Sequence, residues 1–162
     1  LNGLITNEEM IDTQPERVRE MVGAFDQAVR DVINNPAEAY LLSEPYVDNL
    51  PLSPGLAQAL QQAAAQQRDF LATAPPRAAI IASRAALRED LNAQFEPAEL
   101  LQVEVLLETV ELWDAQRLGY ADAASWETTQ QTLQNMGFIE TPTDVTDAFT
   151  NDFLADNFNG QD

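Results

Sequence analysis

The sequence contains no cysteine, no histidine and no lysine, and each absence removes a class of chemistry. Without cysteine there is no disulfide, no thiol nucleophile and no thiolate metal site, and either redox compartment is tolerated. Without histidine there is no Ser-His-Asp triad and no imidazole ligand. Without lysine there is neither a Schiff-base amine nor a P-loop. The six glycines are scattered, and none forms a phosphate-cradling loop. No apolar run approaches the roughly 20 residues of a membrane span. The longest candidate, Ala78 to Leu91, is interrupted by Arg84 and Arg88. The chain opens at Leu1 without the basic and apolar regions of a leader peptide, so a mature or truncated product is expected.

Acidic side chains dominate what is present. There are 27 of them against eight arginines, a formal net charge of −19. From Glu108 onward the acids face only Arg117. Such a field repels a phosphate backbone and an anionic membrane alike, so nucleic acid is not an expected partner. A solubilising surface is the general reading, and adaptation to high salt the sharper one. The carboxylates are abundant without being organised. Asp144 and Asp147 would share a helix face at i,i+3, as would Asp152 and Asp156 at i,i+4. The EF-hand order fails, however, because Phe158 stands where an oxygen ligand belongs. No metal site, cofactor or catalytic residue is assigned.

Periodicity and punctuation predict a mainly α, multi-helix assembly with at most one or two short strands. Only Gly3 to Thr6 reads as extended. Asn7 is placed to cap a short helix through Ile11, with Glu8 and Glu9 in its first turn. Pro15 starts a longer helix bearing Val18, Met21, Val22, Phe25, Val29, Val32 and Ile33 at helical spacing, and Asn34-Asn35-Pro36 ends it. A short helix from Pro36 to Ser43 and a proline-rich connector from Glu44 to Pro54 follow. Helices are then expected over 55–72, after Pro76, and over Pro97 to Leu118. The last of these carries Val103, Leu106, Leu107, Val110 and Trp113 as a broad apolar stripe. Asp122 caps the next helix, on which Trp126, Leu133 and Met136 recur, and Gly137 closes it. A final helix is expected after Pro142, with Val145, Ala148, Phe149 and Phe153 inward. Trp113 and Trp126 read as core, and Tyr40, Tyr46 and Tyr120 as half-buried residues near helix ends. The chain is long enough for one domain, a single helical segment over 1–162 with a possible division into 1–50 and 51–162.

Two stretches carry more than composition. The tail holds Glu111-Leu112-Trp113, Arg117-Leu118-Gly119-Tyr120, Asp122, Trp126, Leu133 to Ile139, Asp144, and Thr150-Asn151-Asp152-Phe153-Leu154. The start holds Leu4 to Ile11, Pro15 to Val18, and Asn35-Pro36-Ala37-Glu38-Ala39. In order and spacing these resemble the C-terminal segment of substrate-binding proteins of the NMT1/THI5 group. Residues 51–99 carry no signature of that kind. The resemblance implies a non-enzymatic part of a two-lobed α/β solute-binding protein that delivers a small organic molecule to an ABC importer. It further implies a small organic solute and an ABC permease as partners, and a secreted, periplasmic or membrane-tethered location. Most of the lobes around the cleft would come from residues this chain does not contain. Thr6 and Asn7, at the end of the expected extended segment, are the candidate ligand-binding residues; a strand end followed by a helix cap is the plainer role for the pair. Two alternatives remain open: a helical protein-interaction module, and a carboxylate enzyme using a divalent cation. If part of a larger fold is missing, self-association is expected through the Val18–Ile33 helix or through the face bearing Val103, Val110 and Trp113.

The charge imbalance generates a measurable expectation. Self-repulsion at −19 lowers stability at low ionic strength, and screening restores part of it. The melting temperature should therefore rise between low and moderate sodium chloride. A flat or falling response would show that charge does not limit this fold.

Overall fold

The computed structural model describes residues 4–114 and 118–154. Gly3, Arg117 and Asp156, which entered the sequence reading, lie outside them. Among the described residues there are seven α-helices, two short 3-10 turns and no strand. The helices are α1 (Glu8–Thr13), α2 (Pro15–Asn34), α3 (Pro36–Ser43), α4 (Pro54–Leu71), α5 (Arg77–Asn92), α6 (Pro97–Trp113) and α7 (Ala123–Asn135). They form two compact units, one of residues 4–26 with 118–154 and one of residues 27–114.

Capping chemistry sets most boundaries. Asn7, Asn35, Ser53 and Asp122 each accept a hydrogen bond from a backbone N–H of the turn they open, which satisfies a donor that the helix leaves free. Proline occupies the first turn of α3, α4 and α6, where its missing N–H costs nothing. The end of α7 is a Schellman turn. Gly137 has φ +76°, its N–H donates to Gln134 O, and Phe138 N–H donates to Leu133 O; glycine supplies that left-handed conformation without a Cβ clash.

The core of the 27–114 unit is built from Ala37 and Tyr40 of α3, Leu56, Leu60 and Ala64 of α4, Leu91 of α5, and Leu100, Val103 and Leu107 of α6. Leu56, Leu60, Leu100 and Val110 are fully enclosed. The α3–α4 contact is the most extensive between helices, and alanines at positions 37 and 64 leave room for it. Tyr40 is buried rather than half-exposed. Its hydroxyl donates to the Pro51 carbonyl at 2.7 Å, and burial raises its pKa above the ordinary tyrosine value. Ser53 both caps α4 and donates to Glu99 of α6.

The other unit has no wholly buried residue on α1 or α7. Trp126 stacks on Phe149 with ring centroids 5.7 Å apart, and the Arg19 guanidinium lies 5.6 Å from the Phe153 ring centre. Asn151 bridges Ala121 through both its N–H and its carbonyl. The Asp122 carboxylate is held below its ordinary pKa by hydrogen bonds from the Ser125 side chain and backbone.

Several further expectations are corrected. α6 stops at Trp113 rather than running to Leu118, because Asp114 (φ −72°, ψ 64°) leaves the helical conformation. Trp113 is 40% exposed, and so not core. Among the described residues beyond Pro142 there is only a 3-10 turn, Val145–Asp147, capped by Asp144, whose carboxylate accepts from the Thr146 N–H and hydroxyl. Val145 is buried as expected, but Ala148 is exposed. Finally, Val103 and Val110 are buried within this chain and present no face to a partner. The exposed large apolar residues of α6 are Leu101, Val105, Leu112 and Trp113, and those of α2 are Met21 and Phe25.

Truncation should separate the two kinds of leucine. Leu60→Ala removes an enclosed side chain and should cost about 2–5 kcal/mol in urea unfolding. Leu101→Ala, at a position 60% exposed, should stay within about 0.5 kcal/mol. Equal losses would contradict this core.

Candidate functional site

The phase of α5 determines where its arginines lie. Ile80, Arg84, Leu87 and Leu91 recur at helical spacing, so Arg84 falls on the inward face among apolar neighbours. Arg77 sits two turns earlier on the same side. Arg84 is 5% exposed. Its Nη1 donates to the Ile33 carbonyl at 3.2 Å, and its Nη2 donates to Asp114 Oδ2. Arg77 Nη2 donates to Asp114 Oδ1 at 2.7 Å and to the Asp114 carbonyl at 2.6 Å.

Both acceptor regions are helix C-termini. Ile33 is in the last turn of α2, and Asp114 follows the last residue of α6. Terminal carbonyls lack intrahelical donors and carry the negative end of the helix dipole, so cations are favoured there. One cluster therefore ties α5 to two other helix ends. Arg84 Nε is closed off without a hydrogen-bond partner, a cost of about 1–3 kcal/mol that the paired nitrogens must offset. Further along α5, Arg88 meets Glu104, Glu108 and Glu111 of α6 at 2.9, 2.8 and 3.0 Å.

Arg84 borders two hollows. One, of about 220 Å³, is lined by residues of α3, α4 and α5, including Asn35, Gln67, Phe70, Ser83 and Asp90. The other, of about 370 Å³, lies beside α5 and the end of α6 and is lined by Arg77, Ile81, Arg84, Ala85, Glu111 and Asp114. In the first hollow the polar groups are largely spent on the fold. Gln67 Nε2 donates to Asn34 O and Ser83 Oγ. Asn35 Nδ2 donates to Ala64 O and Glu38 Oε2, while its Oδ1 accepts from Glu38 N. Arginine stays protonated, so the cluster supplies fixed charge and hydrogen bonds rather than proton transfer. Among the described residues, no three Asp or Glu side chains converge as metal ligands would.

Thr6 and Asn7 are exposed at the start of α1 and line neither hollow. Asn7 Oδ1 accepts from Met10 N at 2.8 Å, so one polar atom of the pair already serves the cap. The buried pair Arg84–Asp114 escaped the sequence reading, which put Ser83 with Ile80, Leu87 and Leu91 on the inward face, although Arg84 fits the same helical spacing. Asp114 carried no such sign, because α6 was expected to continue through it.

With this geometry in hand, comparison with known proteins gives two matches. Residues 2–39 match the family described as NMT1/THI5 like, a stretch that holds Thr6, Asn7, α1, α2 and the start of α3. Over 158 residues the chain is 26% identical to the riboflavin-binding protein RibY of Chloroflexus aurantiacus. That alignment covers 94% of this chain and 32% of the relative, so the chain spans about a third of the relative's length. It also runs through most of residues 51–99, where no family signature was legible. No solved structure matches. The resemblance to an NMT1/THI5-like substrate-binding protein is thus supported from two directions, and it points to a binding protein rather than an enzyme.

The Arg84 cluster generates its own test. Asp114→Ala leaves the Arg84 charge buried without its carboxylate and should cost about 3–5 kcal/mol in denaturant unfolding. Glu108→Ala, at the solvent-exposed edge of the Arg88 cluster, should cost at most about 1 kcal/mol. A small loss at Asp114 would remove the cluster from any structural role.

Proposed function

We propose that this NMT1/THI5-like chain is part of a solute-binding protein that delivers a small organic molecule to an ABC importer. The observation that carries the reading is the match over residues 2–39, joined by similarity along most of the chain to a protein named for binding riboflavin. In this reading the protein acts outside the cytoplasmic membrane, secreted, periplasmic or tethered, and hands its solute to an ABC permease without covalent chemistry. The absence of histidine, cysteine and lysine suits a binding role. No described helix is long and apolar enough to cross a membrane. A flavin-like solute is the first to test, given the relative's name. Thr6 and Asn7 are the proposed contacts, with Thr6 the freer of the two because Asn7 serves the cap.

A helical protein-interaction module is the second reading. The observation favouring it is that Gln67, Ser83 and Asn35 spend their hydrogen bonds within the fold, which leaves the hollow of about 220 Å³ that they line with few free groups for a solute.

This chain alone is proposed to self-associate. The face bearing Met21 and Phe25 is exposed, and α2 has nearly balanced charge, with Arg17, Arg19 and Arg30 against Glu16, Glu20, Asp26 and Asp31. Light scattering at micromolar concentration should show a dimer, and Met21→Asp should return a monomer at an unchanged melting temperature. Titration of riboflavin into this chain, followed by quenching of flavin fluorescence, should show weak binding or none. In the longer protein, Thr6→Ala should weaken the same titration. A monomeric parent chain, together with a longer protein indifferent to riboflavin and other small solutes, would favour the interaction module.

A further inference from the structure

α6 differs from the other helices of its unit in being apolar on two sides. Leu100, Val103, Leu107 and Val110 are buried against α3, α4 and α5 or enclosed nearby. On the opposite side Leu101, Val105 and Leu112 are 60%, 52% and 84% exposed. Their spacing of four and seven residues aligns them along one outward stripe. Solvent exposure of three large aliphatic side chains in a row is unfavourable at roughly 25 cal/mol per Å², and contiguous patches of this kind mark interaction surfaces.

The charge around the stripe selects its occupant. α6 contains Glu99, Glu104, Glu108 and Glu111 and no cationic residue. The cation that meets it, Arg88, is shared among Glu104, Glu108 and Glu111, which leaves the helix with an acidic excess. Glu108 lies within the outward stripe, between Val105 and Leu112, and its side chain remains 64% exposed. A second copy of this chain would bring the same acidic helix against it, at −19 for each molecule. Like-charge juxtaposition of that kind is repulsive. α2 is different, because its own arginines nearly balance its acids.

We infer that the outward face of α6 is a docking surface for a polypeptide partner whose apolar ridge is flanked by lysine or arginine. Leu101, Val105 and Leu112 supply the apolar contact, and Glu108 and Glu111 supply the rim that steers and orients a basic partner. This inference does not depend on the solute-binding reading, because neither Thr6 nor Asn7 takes part.

The test uses the whole chain and two labelled synthetic helical peptides that share one leucine ridge, flanked by lysine in one and by glutamate in the other. Fluorescence anisotropy should show binding of the lysine-flanked peptide only, weakening as salt is raised. The double variant Leu101→Ser, Leu112→Ser keeps every charge, and it should weaken binding by about tenfold or more with the melting temperature unchanged. Met21→Ser should leave the peptide bound as before. Equal binding of both peptides, undiminished binding to the double variant, or no binding of either peptide would each overturn the proposal. So would loss of a parent-chain dimer in the double variant, which would make a second copy the occupant.

Discussion

The buried ion cluster of Arg84, Asp114 and Arg77 is the constraint on which the arrangement of the 27–114 unit depends. Hydrophobic burial brings α3, α4, α5 and α6 together, but it is non-directional and tolerates sliding. Arg84 removes that freedom. It reaches the Ile33 carbonyl at the end of α2 and the Asp114 carboxylate beyond the end of α6, so two helix ends are fixed relative to one side chain. A buried guanidinium left without such partners would cost several kcal/mol. Any packing that misplaced either end would therefore be penalised strongly, and the cluster contributes specificity of arrangement more than net stability.

The same cluster shows how a chain with eight cationic side chains at −19 distributes them. Arg19, Arg68, Arg77, Arg84 and Arg88 all meet carboxylates. The ion pairs gather acids of α3 and α6, and Asp114 beyond α6, onto α4 and α5. The field that results disfavours polyanions and favours basic surfaces. That property is compatible with a binding protein that meets its partners through exterior faces. It also explains why the stripe on α6 and the face on α2, similar in hydrophobicity, are expected to meet different occupants.

Much of the fold was legible because caps and prolines act locally. Asn7, Pro15, Asn35, Asp122 and Gly137 need only their near neighbours to define a helix end, and each end lies where those residues place it. What escaped was tertiary. α6 ends at Trp113, and the following Asp114 is held by Arg77 at its carboxylate and carbonyl and by Arg84 at its carboxylate, contacts that lie outside the helix's own sequence. The expected last helix is a single 3-10 turn although Asp144 caps it through Thr146. Trp113 carried the periodicity of a core residue, yet it is 40% exposed. Of the candidate site, Thr6 and Asn7 came from family resemblance, whereas Arg84 was hidden by its charge. Arginine is usually expected to face solvent, and the fit of Arg84 to the spacing of Ile80, Leu87 and Leu91 went unused.

The central claim is that Arg84 couples the ends of α2 and α6, and amide hydrogen exchange in Arg84→Ala tests it most directly. The amides that close those ends include Asn35, bonded to Asp31 O, and Asp114, bonded to Val110 O. Both should lose protection together in the variant, while the amides in the middle of α4 around Leu60 keep theirs. Loss confined to α5, or a uniform loss across every helix, would contradict the coupling and leave hydrophobic packing as the sole organiser of the unit.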